Sequence, residues 1–172
     1  LTDIYPTPEQ RKRTINAKRI CEAYAAELPT PELPNILLLG TPGLGKSFLG
    51  NAIAYEALMR GVDAERVTAY AFIQAIMQDI REQSQRAQRY QNVPLLVLDD
   101  LGSEPVIPNV SFEWLFAVIN ERTLAGLATV CSTNYTLAQL QQRYDDRFMS
   151  RLCDKNTTQV LQLTGENLRT VK

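Results

Sequence analysis

Residues 40–47 read Gly40-Thr41-Pro42-Gly43-Leu44-Gly45-Lys46-Ser47, which matches the phosphate-binding pattern G-x-x-x-x-G-K-[ST]. An apolar run, Ile36 to Leu39, precedes this P-loop, and a helix-like segment begins near Phe48. In such a strand–loop–helix unit, backbone N–H groups and the positive end of the helix dipole surround an anion. We expect Lys46 to reach the β- and γ-phosphates of a nucleotide and the Ser47 hydroxyl to ligate Mg²⁺. The alternative is a Gly/Pro turn that matches the pattern by chance.

Length and composition are those of one globular domain. The chain has 172 residues, of which 45% are hydrophobic and 22% charged, enough for a core of its own. We expect a single domain over 1–172, with an N-terminal helix and a proline-rich lead-in over 1–34 and a P-loop core over 35–172. Because the chain begins with Leu1, we also expect it to be a fragment of a longer protein.

Charge and cysteine content narrow the classes of function. A net charge of −1 excludes a global basic surface, so a contact with nucleic acid would need a local patch. The lack of His and the scattered positions of Cys21, Cys131 and Cys153 argue against a zinc site and fit a reducing cytoplasm. The sequence shows neither a signal peptide nor an apolar run of membrane-spanning length. We therefore expect a cytoplasmic protein without a membrane partner.

Helical and strand patterns alternate along the chain, which is typical of a mainly parallel sheet covered by helices. We predict a first helix that opens at Pro8 and ends before Pro29, and a second from the P-loop to about Arg60. An apolar stripe from Phe72 to Ile80 predicts a further helix that faces the core. The five predicted strands are 36–39, 67–71, 95–98, 128–131 and 160–163.

Two helix starts are predicted from capping residues. Asn109 or Ser111 is expected to cap the helix that carries Leu115. Thr136 to Gln139 has the T-x-x-Q form of a capping box. No strong pattern marks the polar stretch 82–92.

Two adjacent carboxylates, Asp99 and Asp100, follow the apolar run Leu95 to Leu98. Ligands of α/β sheets bind at the carboxyl ends of strands, and buried carboxylates need a cation or polar partners. We expect Asp99 to hold Mg²⁺ through water, and Asp100 to orient or deprotonate the attacking water. An ordinary Asp-Asp turn is the alternative. The upstream P-loop favours the functional interpretation, because both motifs serve one mechanism.

A strand-end asparagine, Asn134, closes the run Ser132-Thr133-Asn134 after the fourth predicted strand. Its amide can hydrogen-bond both a γ-phosphate and the attacking water. The alternative is a turn, where Asn is common. Its position after a buried strand favours the functional interpretation.

Two arginines, Arg147 and Arg151, are four residues apart and share one face of a predicted helix. An arginine presented by a neighbouring subunit can stabilise charge on a phosphoryl group in the transition state. The alternative is a solvated basic face, with pairing to Asp145 or Asp154. The sequence leaves these two interpretations open.

The order of these motifs resembles that of AAA+ ATPases. More narrowly, the chain resembles bacterial helicase loaders of the DnaC/DnaI type and the related IstB transposition helper ATPases. An LDDLG-x-E run that ends at Glu104 and a GEN-x-R run that ends at Arg169 are similar to the DnaI side in particular. The resemblance spans nearly the whole chain and rests on Gly40–Ser47, Leu95–Gly102 (LLVLDDLG), Ser132–Asn134, Arg147–Leu152 and Leu163–Arg169 (LTGENLR).

The resemblance implies an α/β fold of the P-loop NTPase class, a three-layer αβα sandwich with a mainly parallel five-stranded sheet and a minimal or absent lid. It makes Asn134 the sensor 1 residue and Arg151 the arginine finger, with Arg147 beside it in the motif. Many AAA+ proteins have Glu where this chain has Asp100, which puts fast hydrolysis in doubt. The catalytic set is then Lys46, Asp100, Asn134 and Arg151, and the Mg²⁺ set is Ser47 and Asp99. The nucleotide set is Gly40, Thr41, Pro42, Gly43, Leu44, Gly45, Lys46, Ser47 and Phe48, with Arg169 as the sensor 2 arginine.

The resemblance also implies what the domain acts with. It implies ATP/ADP and Mg²⁺ as cofactors, slow or partner-stimulated ATP hydrolysis, a replicative helicase of the DnaB type as partner, and assembly through the ATP site. The role would be loading of that helicase onto single-stranded DNA in replication initiation, in a bacterium or from a phage or mobile element. Single-stranded DNA binding would map to Phe72, Arg81, Arg86 and Arg89 by stacking and charge. The alternatives are a core position for Phe72 and plain surface positions for the arginines.

Other functions stay open at this point. An IstB-like ATPase that helps a transposase shares every motif, and so does a nucleotide-switched adaptor with little turnover. A small-molecule or nucleotide kinase shares the P-loop, but it leaves Asn134 and Arg151 unexplained, and the sequence shows no obvious second-substrate site. The basic run Arg11-Lys12-Arg13 is more typical of a solvated helix face than of a DNA contact.

Overall fold

The structure is a computed structural model that describes residues 5–170. Within these residues no helix is both long enough and apolar enough to cross a membrane. The helices are α1 (Pro8–Glu27), α2 (Lys46–Met59), α3 (Ala69–Glu82), α4 (Gln88–Asn92), α5 (Ser111–Leu124), α6 (Leu137–Arg143) and α7 (Asp146–Leu152). The strands are β1 (Asn35–Leu39), β2 (Ala64–Thr68), β3 (Leu95–Asp99), β4 (Ala128–Thr133) and β5 (Thr158–Gln162).

The five strands form one sheet in the order β2-β3-β4-β1-β5, and every neighbouring pair is parallel. Strands β1, β3 and β4 lie in the middle and are buried along their whole length, as the continuous apolar runs of β1 and β3 predict. Because the three central strands run the same way, their carboxyl ends meet at one edge of the sheet. This edge receives the P-loop, the acidic pair and the strand-end asparagine.

Helices cover both faces of the sheet and make three layers. Alternate residues of a strand point to opposite faces, so Ile36 and Leu38 pack with α1 and α2, while Leu37 and Leu39 pack with α3 and α5. The α/β fold with a parallel five-stranded sheet is therefore confirmed. After β5, residues 163–170 form bends and turns and no helix.

The predicted second strand is wrong in position. Strand β2 ends at Thr68, and the three residues that follow belong to α3. The Thr68 side chain accepts a hydrogen bond from Ala71 N at 3.1 Å and so caps α3. This N-cap stabilises a helix start where the apolar pattern alone favoured continued strand.

Of the two predicted helix caps, the one at α6 is confirmed and the one at α5 is wrong. Thr136 and Gln139 form the capping box of α6 as expected. Neither Asn109 nor Ser111 caps α5, whose N-cap is Val110 without a side-chain hydrogen bond. Instead the Ser111 hydroxyl accepts from Ile107 N at 3.0 Å and donates to Pro105 O at 2.5 Å, so it closes the preceding loop.

A buried arginine connects backbone carbonyls at the edge of the sheet where β3 and β4 begin, opposite the P-loop. Arg122, near the end of α5, is fully buried, and burial lowers the pKa of its guanidinium to about 10. Its Nε donates to Thr129 Oγ1 at 3.0 Å. Its two Nη atoms donate to the backbone carbonyls of Tyr90, Gln91, Val93, Pro94 and Ala128. One side chain thus satisfies the carbonyls that lead into β3 and β4.

Substitution Arg122→Met is expected to destabilise the domain strongly. Each buried carbonyl left without a donor costs about 1–3 kcal/mol, so the free energy of unfolding should fall by about 3 kcal/mol or more. Urea unfolding measures the loss. The control is Arg81→Met on the exposed surface of α3, which should change stability by less than about 0.5 kcal/mol. Equal stability of the two variants would contradict this account of Arg122.

Candidate functional site

The P-loop joins β1 to α2 in a conformation that requires glycine. Gly43 has φ 85°, and a Cβ there would lie 1.7 Å from Asn167 Oδ1, so a larger residue would meet both backbone strain and a clash. Gly45 is the N-cap of α2 with φ 89° and has no side chain to accept from the first helical N–H groups. Those N–H groups, at the positive end of a 14-residue helix, are free to receive an anion.

The Lys46 side chain turns back, so that its ammonium lies against the backbone of the P-loop. The residue is 6% exposed, and its Nζ donates to Gly40 O at 2.6 Å, Thr41 O at 2.9 Å and Asn134 Oδ1 at 2.7 Å. Burial lowers the pKa of Lys46, and the negative charges of Asp100 and Asp99 act in the opposite direction. The ammonium is thus held where phosphate oxygens would replace carbonyls as its partners.

The Asp99 carboxylate at the end of β3 is 4% exposed and fully partnered. Its Oδ1 accepts from Ser47 Oγ at 3.1 Å and from the Ser132 hydroxyl, and its Oδ2 accepts from the Arg66 guanidinium. Burial acts to raise the pKa of Asp99, but the three hydrogen bonds and the charge of Arg66 outweigh it. The pKa therefore lies below its usual value, and the carboxylate is ionised at neutral pH.

Asp100 and Asn134 complete the site. Asp100 has φ 58°, an uncommon conformation for a residue with a side chain, and its N–H donates to Ser132 Oγ at 3.0 Å. Asn134 Nδ2 donates to Asp100 Oδ1 at 2.7 Å, while the Oδ1 of the same amide accepts from Lys46. A continuous hydrogen-bonded path therefore runs from the P-loop lysine to the second carboxylate.

A cleft of about 460 Å³ opens over these groups. The segment after β5 forms one wall, because Leu163 N donates to Leu39 O at 2.8 Å and Leu168 N donates to Gly43 O at 3.1 Å. Arg169 lines the cleft from this wall. The lining residues are Pro42, Gly43, Gly45, Lys46, Ser47, Phe48, Thr68, Asp99, Asp100, Ser132, Asn134, Leu168 and Arg169.

Comparison with known families gives a match over nearly the whole chain. Residues 11–172 match the model described as IstB-like ATP binding protein. The chain belongs to this family. The relation predicted from the ordered motifs is therefore confirmed, and the family is related both to helicase loaders and to ATP-binding proteins of insertion sequences.

Individual relatives come from both groups. The insertion sequence IS5376 ATP-binding protein of Geobacillus stearothermophilus is 32% identical over 90 residues, 51% of this chain and 36% of that protein. The replicative helicase loader DnaI of Bacillus subtilis is 26% identical over 111 residues, 63% of this chain and 36% of that protein. The crystal structure of the DnaC helicase loader superimposes with a TM-score of 0.77 at 23% identity, over 93% of both chains. The alignments thus span 36% of the length of each of the two sequence relatives.

Seven of the ten predicted nucleotide residues of this IstB-like chain line the cleft, and Gly40, Thr41 and Leu44 do not. Leu44 is 3% exposed and packs in the core, so only its backbone can face a ligand. Phe48 is 72% exposed at the mouth of the cleft. Gly40 and Thr41 line an adjoining cleft next to Asn134.

The two arginines of α7 do not line the cleft of their own chain. Arg151 Nε donates to Asn120 Oδ1 at 2.7 Å. Arg147 Nε donates to Asp145 Oδ2 at 2.9 Å, as the alternative interpretation expected, and its guanidinium lies over the Phe116 ring at 5.5 Å. A role in nucleotide chemistry would therefore need a second subunit.

The predicted DNA contacts are not brought together with the cleft. Phe72 is 1% exposed and packs edge-on against Tyr90, so the stacking role predicted for it is wrong: its ring has no free face. Arg86 pairs with Glu82 at 3.5 Å, and Arg89 Nη1 lies 3.9 Å from Glu65 Oε1. Helix α3 leads away from the carboxyl end of β2, so its last turn, with the exposed Arg81, lies towards the opposite edge of the sheet.

Sequence reasoning missed Arg66, Thr68 and Asn167. Arg66 contacts Asp99 because β2 pairs with β3 and Thr68 lies beside Asp99 in the register. A strand predicted at 67–71 could not reveal this contact, since it placed the end of β2 three residues too late. Asn167 lies in the LTGENLR stretch that carries the resemblance, but no role was predicted for it; its packing against Gly43 places it beside the P-loop.

Proposed function

We propose that this domain binds ATP with Mg²⁺ in the cleft and hydrolyses it slowly, as a switch that controls a bound partner. The hydrogen-bonded path from Lys46 through Asn134 to Asp100 carries the proposal. It links the group that would hold the β- and γ-phosphates to the group that would hold the attacking water. An isolated phosphate-binding turn has no need of such a path.

The oxygen groups beside the P-loop fit Mg²⁺. Ser47 Oγ donates its hydrogen to Asp99, which leaves its lone pairs available to a cation. Hydroxyl and carboxylate oxygens are ligands that Mg²⁺ prefers, and it usually keeps several waters and takes phosphate oxygens besides. Residues 5–170 contain no group of three or more His, Cys, Asp or Glu side chains that could hold a metal alone. Ser47 would hold Mg²⁺ directly and Asp99 through water, and the ion would neutralise phosphate charge.

The other residues have separate tasks. Lys46 would exchange the Gly40 and Thr41 carbonyls for phosphate oxygens, so nucleotide binding and loop conformation are coupled. Asn134 keeps the Asp100 carboxylate beside the cleft. Asp100 would orient the attacking water and accept its proton. The shorter side chain of Asp, compared with Glu, supports slow turnover and suits a switch more than a motor.

Substitution Lys46→Ala is expected to lower ATP affinity at least about tenfold, because a buried charge-assisted contact to phosphate is lost. Binding of a fluorescent ATP analogue measures the change. The control is Lys155→Ala, which removes an exposed lysine between α7 and β5 and should leave affinity unchanged. Unchanged affinity in Lys46→Ala would contradict the proposed site.

We expect assembly to complete the site with Arg151 of a neighbouring subunit. Arg151→Ala should therefore lower hydrolysis by the assembled protein about tenfold or more while ATP affinity stays the same. A mixture of Arg151→Ala and Lys46→Ala subunits should recover part of the activity, since one supplies the lysine and the other the arginine. Arg86→Ala is the matched surface control. Activity of the mixture no higher than the sum of the two variants would exclude a role between subunits.

The favoured partner is a replicative hexameric helicase of the DnaB type, which the domain would help to load onto single-stranded DNA. Similarity to the helicase loader DnaI and to the fold of the helicase loader DnaC supports this. The second candidate is a transposase, favoured by the IstB-like family match and by the 32% identity to the IS5376 protein. A nucleotide-switched adaptor is the third.

Co-elution separates these partners. The full-length protein is expected to co-elute with the helicase when ATP and Mg²⁺ are present and to dissociate when the mixture contains ADP. Single-stranded DNA should raise ATP turnover. Co-elution with a transposase in place of the helicase would identify the second candidate, and partner binding without measurable turnover the third.

A further inference from the structure

Arg66 brings a positive charge to the carboxylate that is expected to serve Mg²⁺. Its guanidinium donates to Asp99 Oδ2, and its own side chain is 41% exposed while that of Asp99 is 5% exposed. Arg66 lies on β2, the edge strand beside β3. The pair therefore joins a nearly buried anion to a cation that can turn into solvent without disturbing the core.

The partners of Asp99 differ in whether they leave oxygen lone pairs available to a hydrated metal ion. Ser47 and Ser132 bind Oδ1 through neutral hydroxyls, and the Ser47 oxygen can ligate a cation while it donates its hydrogen. The guanidinium of Arg66 occupies Oδ2. Water molecules on Mg²⁺ are also hydrogen-bond donors, so they need the same lone pairs of Asp99 that Arg66 uses. The two cations also repel each other.

We propose that Arg66 is an internal counter-ion that competes with hydrated Mg²⁺ for Asp99, and so sets the Mg²⁺ concentration at which the domain holds ATP. A nearly buried carboxylate requires a positive partner, and Arg66 supplies one that can be exchanged. Nucleotide binding with Mg²⁺ is then coupled to movement of Arg66 at the exposed edge of the sheet. This inference deepens the proposed ATP site and rests on it.

The test measures Mg²⁺ dependence of binding and not turnover. Binding of a fluorescent ATP analogue is followed while Mg²⁺ is titrated, for the wild-type chain and for Arg66→Gln. Loss of one positive charge next to Asp99 should lower the half-saturating Mg²⁺ concentration about three- to tenfold at moderate salt. Arg66→Lys keeps the charge and should stay within about twofold of wild type. Arg89→Gln removes an arginine that lies near another carboxylate, Glu65, and should have no effect.

A direct metal readout accompanies the titration. With ADP present, tighter binding removes more Mn²⁺ from solution. At equal total Mn²⁺, the electron paramagnetic resonance signal of free Mn²⁺ should therefore be weaker for Arg66→Gln than for wild type. Arg66→Met tests the same expectation if the Gln variant does not fold.

The outcomes distinguish the role of Arg66 from the ATP site on which it depends. Equal half-saturating Mg²⁺ concentrations for wild type and Arg66→Gln, with ATP bound by both, would overturn the role of Arg66 and leave the ATP site intact. A shift of the same size in Arg66→Lys would also overturn it, because charge would not be the cause. Failure of the wild-type chain to bind ATP at any Mg²⁺ concentration would contradict the proposed function as well.

Discussion

The Asp99 carboxylate is 4% exposed and ionised, and such a charge costs several kcal/mol unless hydrogen bonds and an opposite charge replace the water it loses. Its partners come from three other elements: Ser47 from α2, Ser132 from β4 and Arg66 from β2. The hydrogen bonds to this one carboxylate therefore hold α2, β4 and β2 together at the edge of the sheet where the strands end. The candidate site lies around this carboxylate and its partners.

Helix α1 and the segment after β5 together support the P-loop. Gln10 of α1 is 3% exposed, and its amide donates to Glu166 O at 2.8 Å and accepts from Glu166 N at 3.0 Å. This paired contact fixes the backbone just before Asn167 and Arg169, which lie against Gly43 and in the cleft wall. The segment 163–170 has no helix of its own, and a buried side chain of the first helix orders it and so brings Arg169 to the cleft.

Hydrogen bonds and an ion pair of Glu104 hold the loop that follows the acidic pair Asp99 and Asp100. The Glu104 side chain is 2% exposed and accepts from Arg143 Nη2 at 2.8 Å, from the Tyr144 hydroxyl at 2.6 Å and from Gly102 N at 2.8 Å. Burial, together with the nearby Glu104 charge, raises the pKa of Tyr144, so its hydroxyl stays a donor. Helix α6 ends at Arg143 and α7 follows with Arg147 and Arg151. One buried ion pair thus connects the loop beyond Asp100 to the arginines expected at a subunit interface.

Local signals in the sequence were sufficient for the phosphate loop, the acidic pair, the buried central strands and the capping box at Thr136. Each depends on consecutive residues or on a spacing of three or four, so it can be recognised without knowing which strands are neighbours. The local apolar pattern placed Phe72 correctly in the core, and only the DNA role implied by the resemblance failed there. Local pattern failed at the start of α3, where the Thr68 cap prevailed. The contacts of Arg66 with Asp99, of Arg122 with the carbonyls before β3, and of Arg143 with Glu104 join residues about thirty or more positions apart. Only the packing of strands, helices and loops in the folded chain brings such residues together, because no single strand or helix carries information about its neighbour. The sequence alone therefore predicts the kind of ligand, a nucleotide phosphate, and the tertiary structure determines which charged side chains surround the predicted site.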